Sequence, residues 1–195
     1  MSDAPSKAEA VEAVEILVRY IEPSTEHPRE GLSRTPERVI DSYSEIFSGY
    51  SGNAESILEA TFNSEGYDGI VLLRDIEFHS FCEHHLLPFS GNAHIAYIPV
   101  DRIVGISKLA RLLDMHSSKL QNQERLTKGV ADDIERFLTP LGCAVVLEAS
   151  HKCMQCRGVA KQNAIMTTSA MRGVFFDKQE ARGEFLQLIN GQSSG

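Results

Sequence analysis

The chain has 195 residues, with 19 Lys and Arg against 27 Asp and Glu, a formal net charge of -8, and 42% hydrophobic residues. Such a composition describes an ordinary globular protein that buries about two thirds of its unfolded surface, without the run of about 20 apolar residues that spans a bilayer. The acidic balance argues against nucleic acid as a partner, and the start MSDAPSKAEA lacks the basic and apolar stretches of a secretory signal, so a cytoplasmic protein with reduced thiols is expected.

Residues 1–6 are small and polar and are expected to be disordered. Val11, Val14, Val18 and Ile21 recur at spacings of three and four, which predicts a helix over Lys7–Ile21. Glu22–Gly31, with two prolines and a glycine, reads as a loop. Thr35 before Pro36 reads as an N-cap followed by proline at the first helical position, opening a helix to about Phe47. Gly49–Gly66 is a polar linker with room for a short helical turn. Ile70–His79 and Asn92–Pro99 are rich in β-branched and aromatic residues and read as strands. Helical spacing returns over Gly105–Met115 and Gln123–Leu138. Cys143–His151 and Gly158–Ser169 read as strands, Lys178–Ile189 as a helix, and 191–195 as a flexible tail. Paired strands with helices between the pairs predict an α+β fold with an antiparallel sheet. The predicted organisation is an N-terminal helical region over 7–68 and a main domain over 69–190.

Four cysteines are present: Cys82, Cys143, Cys153 and Cys156. Cys143, in the apolar run CAVVL, reads as core. In SFCEHHLLP, Cys82 and His85 are spaced so that one turn brings both to a single ion, and His151-Lys-Cys153-Met-Gln-Cys156 supplies further donors. On a strand, His151 and Cys153 would point to the same side. Thiolates with imidazole favour zinc over magnesium or calcium. Two arrangements compete: a closed structural site of Cys82, His85, Cys153 and Cys156, or three ligands with an open position for water. His84 and His151 would have no task beside a closed site, whereas beside an open one they are natural proton carriers.

Cations gather locally on this acidic chain. Lys108 and Arg111 share one face of a helix whose other side carries Leu109, Leu112 and Leu113. Ser107 reads as the N-cap of that helix, or as part of a phosphate cradle at its start. Arg157 follows the Cys153 segment. Glu124 reads either as the partner of Lys128, four residues on, or as a carboxylate that accepts two N–H groups from a guanine-like edge.

CEHHLLPFSGNAHIAYIP, VGISKLARLLD, LQNQERLT, HKCMQCRGV and TTSAMRGVF, with RTPERV before them and EFLQLI after, resemble the GTP cyclohydrolase I family in order and spacing from about Arg34 to Ile189. The resemblance implies a tunnelling fold, with an antiparallel sheet, helices packed on one face and an N-terminal helical extension. It also implies that sheets of adjacent subunits join into a barrel, as a homodecamer of two pentamers with active sites between subunits. It implies conversion of GTP and water to formate and 7,8-dihydroneopterin triphosphate, at the entry to pterin and folate synthesis, with one zinc ion per subunit. Position by position, Cys82, His85 and Cys153 match the zinc ligands. His151 matches the histidine that protonates the purine imidazole ring, His84 the one that assists ribose opening, and Ser107 a serine of the later rearrangement. Lys108, Arg111, Arg157 and Arg38 match triphosphate ligands; Glu124 matches the carboxylate that anchors guanine, with Gln123 beside it as a second substrate-binding position.

This chain departs from the family in places. One cation is missing from His116-Ser-Ser-Lys119, Asn122 replaces an apolar residue, and Ile165 and Met166 stand where polar or basic residues are common. Two other readings are a non-catalytic scaffold stapled by zinc through all of Cys82, His85, Cys153 and Cys156, and a tunnelling-fold enzyme acting on another purine or pterin.

Overall fold

The computed structural model describes residues 4–23 and 29–191. Residues 1–3, half of the predicted loop (24–28) and the predicted tail from 192 onward lie outside them. The chain divides into two compact units, Met1–Ser48 and Gly49–Gly195.

In the first unit, helix α1 (Lys7–Ile21) starts at a capping box: the Glu9 amide donates to the Ser6 hydroxyl, and the Glu9 carboxylate accepts from the Ser6 amide. Helix α2 (Thr35–Ile46) packs against it. Arg34, not Thr35, is the capping residue and makes no side-chain cap, so the expected Thr35 cap is one residue out. Pro36 lies in the first turn, where a missing N–H costs nothing.

The second unit is built on a five-stranded sheet in the order β5-β2-β3-β6-β7. Strands β2 (Val71–Cys82), β3 (Pro88–Ile98), β6 (Gly142–His151) and β7 (Met166–Gly173) run antiparallel, and the stub β5 (Leu120–Gln121) lies parallel to the end of β2. Helix α3 (Ala54–Leu58) and strand β1 (Thr61–Asn63) occupy the predicted linker, and β1 pairs with β4 (Arg102–Val104). The predicted strand over 158–169 starts only at Met166, because Gly158 and Ala160 hold positive φ angles of 64° and 49° that no strand tolerates.

Alternate residues of the central strands face opposite ways, and each face has its own apolar cluster. Helices α4 (Ile106–Ser117) and α5 (Gln123–Leu138) bury Leu109, Leu112, Leu113, Leu126, Val130 and Ile134 against Ile95, Val145 and Leu147. On the other face the small side chains of Ala96 and Ala144 admit Phe175, from the short helix α7 (Val174–Asp177), and Phe185, from α8 (Gln179–Ile189). This second cover lies over the β3 C-terminal and β6 N-terminal halves. Their other ends, at Phe89 and His151, lead into the site. Among the described residues no helix is long and apolar enough to cross a membrane.

Candidate metal centre and active site

Three strand ends converge. Strand β2 ends at Cys82, β3 begins at Pro88, and β6 ends at His151, with Phe89 paired to His151 in register. Residues 83–86 turn the chain from β2 to β3: the His85 and Leu86 amides both donate to the Cys82 carbonyl, and the Cys82 amide donates to that of Leu87. This turn holds Leu86 at a φ of 53°, an uncommon conformation for a branched side chain. His151 is the last strand residue and the N-terminal boundary of a short helix, α6 (Lys152–Gln155), which carries Cys153. The expectation that the two residues share one strand face is therefore not met; a change from strand to helix places them instead.

Cys82, His85 and Cys153 come together, their ligand atoms all within 4.8 Å of one another. The Cys82 Sγ to His85 Nδ1 distance is 3.6 Å, the separation of about 3.6 Å that tetrahedral zinc with ordinary Zn–S and Zn–N bonds requires. Burial, and then the adjacent Cys82, push the Cys153 thiol up, while Arg157 pulls it down. Two thiols so close resist losing both protons unless a cation joins them, so the donor set fits a soft divalent metal. Cys156 stands outside this group: it is exposed, and its thiol donates to the Lys152 carbonyl at 2.9 Å. Cys143 is buried with its pKa pushed up to about 12, mainly by desolvation, and is core as expected.

His84 Nδ1 lies 3.7 Å from the Cys82 sulfur, and its ring meets that of His85 edge-on. His151 stacks on Phe89, with ring centroids 4.5 Å apart and planes 5° from parallel. Burial lowers the His151 pKa, and the Glu124 carboxylate pulls it back up; Glu124, in the first turn of α5, thus faces the same site. Lys128 turns away from Glu124 to Asp132, so the surface pair expected between Glu124 and Lys128 does not form. Arg157 also depresses the His85 pKa, after partial desolvation, which places its charge beside the cluster. Gln123 is different. It is 1% exposed, and its side chain is bonded wholly within the protein.

The remaining predicted cations lie on two other helices. Gly105, not Ser107, caps α4, so the expected cap is again misplaced and the Ser107 hydroxyl stands exposed in the first turn. The far end of α4 touches the metal strand, where the Ser80 hydroxyl donates to the Ser117 carbonyl at 2.6 Å. Ser107, Lys108 and Arg111 therefore lie roughly 10–15 Å of helix away from that contact. Arg38 lies on α2 of the first unit.

Sequence reasoning missed the groups that support the turn. The Glu83 carboxylate accepts from Asn122 Nδ2 at 2.8 Å and from Arg125, which also bonds Gln121 and the Leu120 carbonyl. Asn122 caps α5 by accepting from the Arg125 amide. An asparagine directly before the predicted start of the helix at Gln123 carried the capping signal, while the reach to Glu83 depends on β5 lying beside β2.

The profile of the family described as GTP cyclohydrolase I matches residues 10–190. The chain belongs to the GTP cyclohydrolase I family. Among its relatives, the GTP cyclohydrolase 1 of Rickettsia bellii is 51% identical over 95% of this chain and 96% of its own length. That of Chlorobium chlorochromatii is 55% identical over 83% and 72%, and that of a Synechococcus strain 48% identical over 94% and 80%. The α+β architecture found here, with one curled antiparallel sheet backed by α4 and α5, is that of the family's tunnelling fold.

Proposed function

We propose that the chain catalyses the conversion of GTP and water to formate and 7,8-dihydroneopterin triphosphate with one zinc ion per subunit. Residues 69–190 would form the catalytic region and 7–68 a helical extension. The observation that carries the reading is the triangle of Cys82, His85 and Cys153 with two further histidines against it, in a chain of this family. Zinc held by three protein ligands leaves one position open, and when bound it acts as a Lewis acid that lowers the pKa of water toward about 7.

The other tasks fall to side chains. Glu124 accepts two N–H groups from the guanine edge, which fixes the purine with C8 toward the metal. His151 delivers a proton to N7, making C8 electrophilic, and His84 assists opening of the ribose. Ser107 supports the later rearrangement. Lys108, Arg111, Arg157 and Arg38 hold the triphosphate. The displacement of the α4 cations along their helix from its contact with β2 at Ser80 supports a site shared between subunits, in a decamer of two pentamers. A cytoplasmic location agrees with the thiols, which are free among the described residues.

Incubation of zinc-loaded protein with GTP tests the reading: formate and, after oxidation, a fluorescent pterin are expected, and no turnover would overturn it. Cys156→Ala separates the enzyme from a four-ligand scaffold. The enzyme keeps its zinc and its fold in that variant, and a scaffold loses both.

A further inference from the structure

We propose that Gln123 is a positioning residue that fixes the ring orientation and tautomer of His151, with hydrogen on Nε2, and that it does not hold substrate. This rests on the assignment of His151 to proton transfer above. Gln123 Nε2 lies 3.1 Å from the Leu147 carbonyl, 3.0 Å from the Met166 carbonyl and 3.1 Å from Thr168 Oγ1. Carbonyl oxygens only accept, so the amide nitrogen must face them and the amide oxygen must face away.

The neighbouring hydroxyls run in the same sense. Thr127 Oγ1 donates to the Gln123 main-chain carbonyl at 2.7 Å, so in its 2.6 Å contact with Thr168 it is the acceptor. Thr168 spends its hydrogen there and offers Gln123 a lone pair. The donor direction of every bond in the group is thereby set by carbonyls at its ends.

Gln123 Oε1 therefore meets His151 Nε2, at 2.8 Å, and that nitrogen must carry hydrogen. The parallel stack on Phe89 holds the ring plane, and turning the ring over would set a carbon against Oε1. Nδ1 is left as the ring nitrogen not engaged by Gln123. With both amide hydrogens engaged inside the protein, Gln123 has no donor left for a ligand, whereas its neighbour Glu124 is exposed.

The test uses the full-length, zinc-loaded chain with isotope-labelled histidine nitrogens, in wild-type, Gln123→Met and Gln123→Glu forms; His151→Asn identifies the His151 signals. In the wild type, neutral His151 is expected to show hydrogen on Nε2 and a bare Nδ1. Gln123→Met, similar in volume but lacking the acceptor, is expected to give a mixture of tautomers. It should lower kcat for GTP at least about tenfold, a part of the roughly 10²–10⁴ that a placed acid contributes, with KM within about threefold. Gln123→Glu, protonated in this buried place, can donate to the Met166 carbonyl and still accept from Nε2–H, and should restore most of the tautomer and of kcat. Hydrogen on Nδ1 in the wild type would overturn the proposal, as would a raised KM with unchanged kcat in Gln123→Met. If Gln123→Met does not fold, the wild-type and Gln123→Glu spectra still decide. A wild-type protein without GTP turnover would sink the proposed reaction and leave the tautomer measurement standing.

Discussion

His116, in the last turn of α4, is mostly buried, with Nε2 2.7 Å from Asp133 Oδ2. Burial lowers its pKa below the ordinary value, outweighing the raising effect of Asp133. The unfolded chain then binds a proton near pH 6.5 that the folded chain does not yet bind. Stability attributable to the neutral ring is present above that pH and is lost as pH falls toward the folded pKa. His116→Gln is expected to flatten the fall in unfolding free energy between pH 7 and pH 5, by up to about 1.4 kcal/mol per pH unit, the value for one proton. Urea unfolding at fixed protein concentration measures this, and identical slopes in both proteins would refute it. At this scale the Cys82, His85 and Cys153 donor group was legible in the sequence, since few residue types bind a soft cation and CEHH with HKC offers them in short blocks. Phe89, Thr127 and Thr168 were not legible. Their roles come from cross-strand register and from a hydrogen-bond direction that no local pattern encodes.

Among the elements, the start of α5 does the most for the site. Asn122 caps the helix and holds Glu83, so a single side chain ties the second core helix to the turn that carries Cys82 and His85. Asn122→Ala is expected to cost about 1 kcal/mol through the lost cap and to lower the melting temperature by roughly 2–4 °C. An unchanged melting temperature would show that Arg125 alone holds the turn. Helices α1 and α5 match their predicted bounds to the residue, because apolar spacing runs along each, Ser6 and Asn122 cap their starts, and Pro23 and Pro140 follow their ends. Strands β1 and β5, of three and two residues, are too short for any period to be read. Cys153 was misplaced on a strand because β6 gives way to α6 directly at His151, with no glycine or proline to mark the break.

For the whole molecule, the proposed reading sets Lys108, Arg111, Arg157 and Arg38 against a net charge of -8, and on that reading the overall charge does not describe what the site binds. If adjacent copies supply the metal turn and the α4 cations, two inactive proteins can repair each other. A Cys153→Ala protein and a Lys108→Ala/Arg111→Ala protein, dissociated together and reassembled, are expected to recover a fraction of the wild-type GTP turnover through mixed sites. Recovery no greater than the sum of the separate activities would place both groups in one copy. The family's fold and the three residues of the donor group could be read from the chain alone. The distance between the α4 cations and the metal turn could not, because it depends on where α4 lies along β2.

The unequal covering of the sheet has a kinetic meaning. Near Ala96 and Ala144 the central strands lie between two apolar clusters, whereas near Phe89 and His151 only the α4–α5 side is covered. Amide hydrogens of Ala144–Val146 should therefore exchange with solvent only when the whole unit opens, and those of Ser150 and His151 by smaller, more frequent openings. Zinc should slow the second group by its binding energy and leave the first nearly untouched until global unfolding itself is suppressed. One pair of strands would thus be a fixed anchor at one end and, at the other, a grip that tightens when the ion arrives.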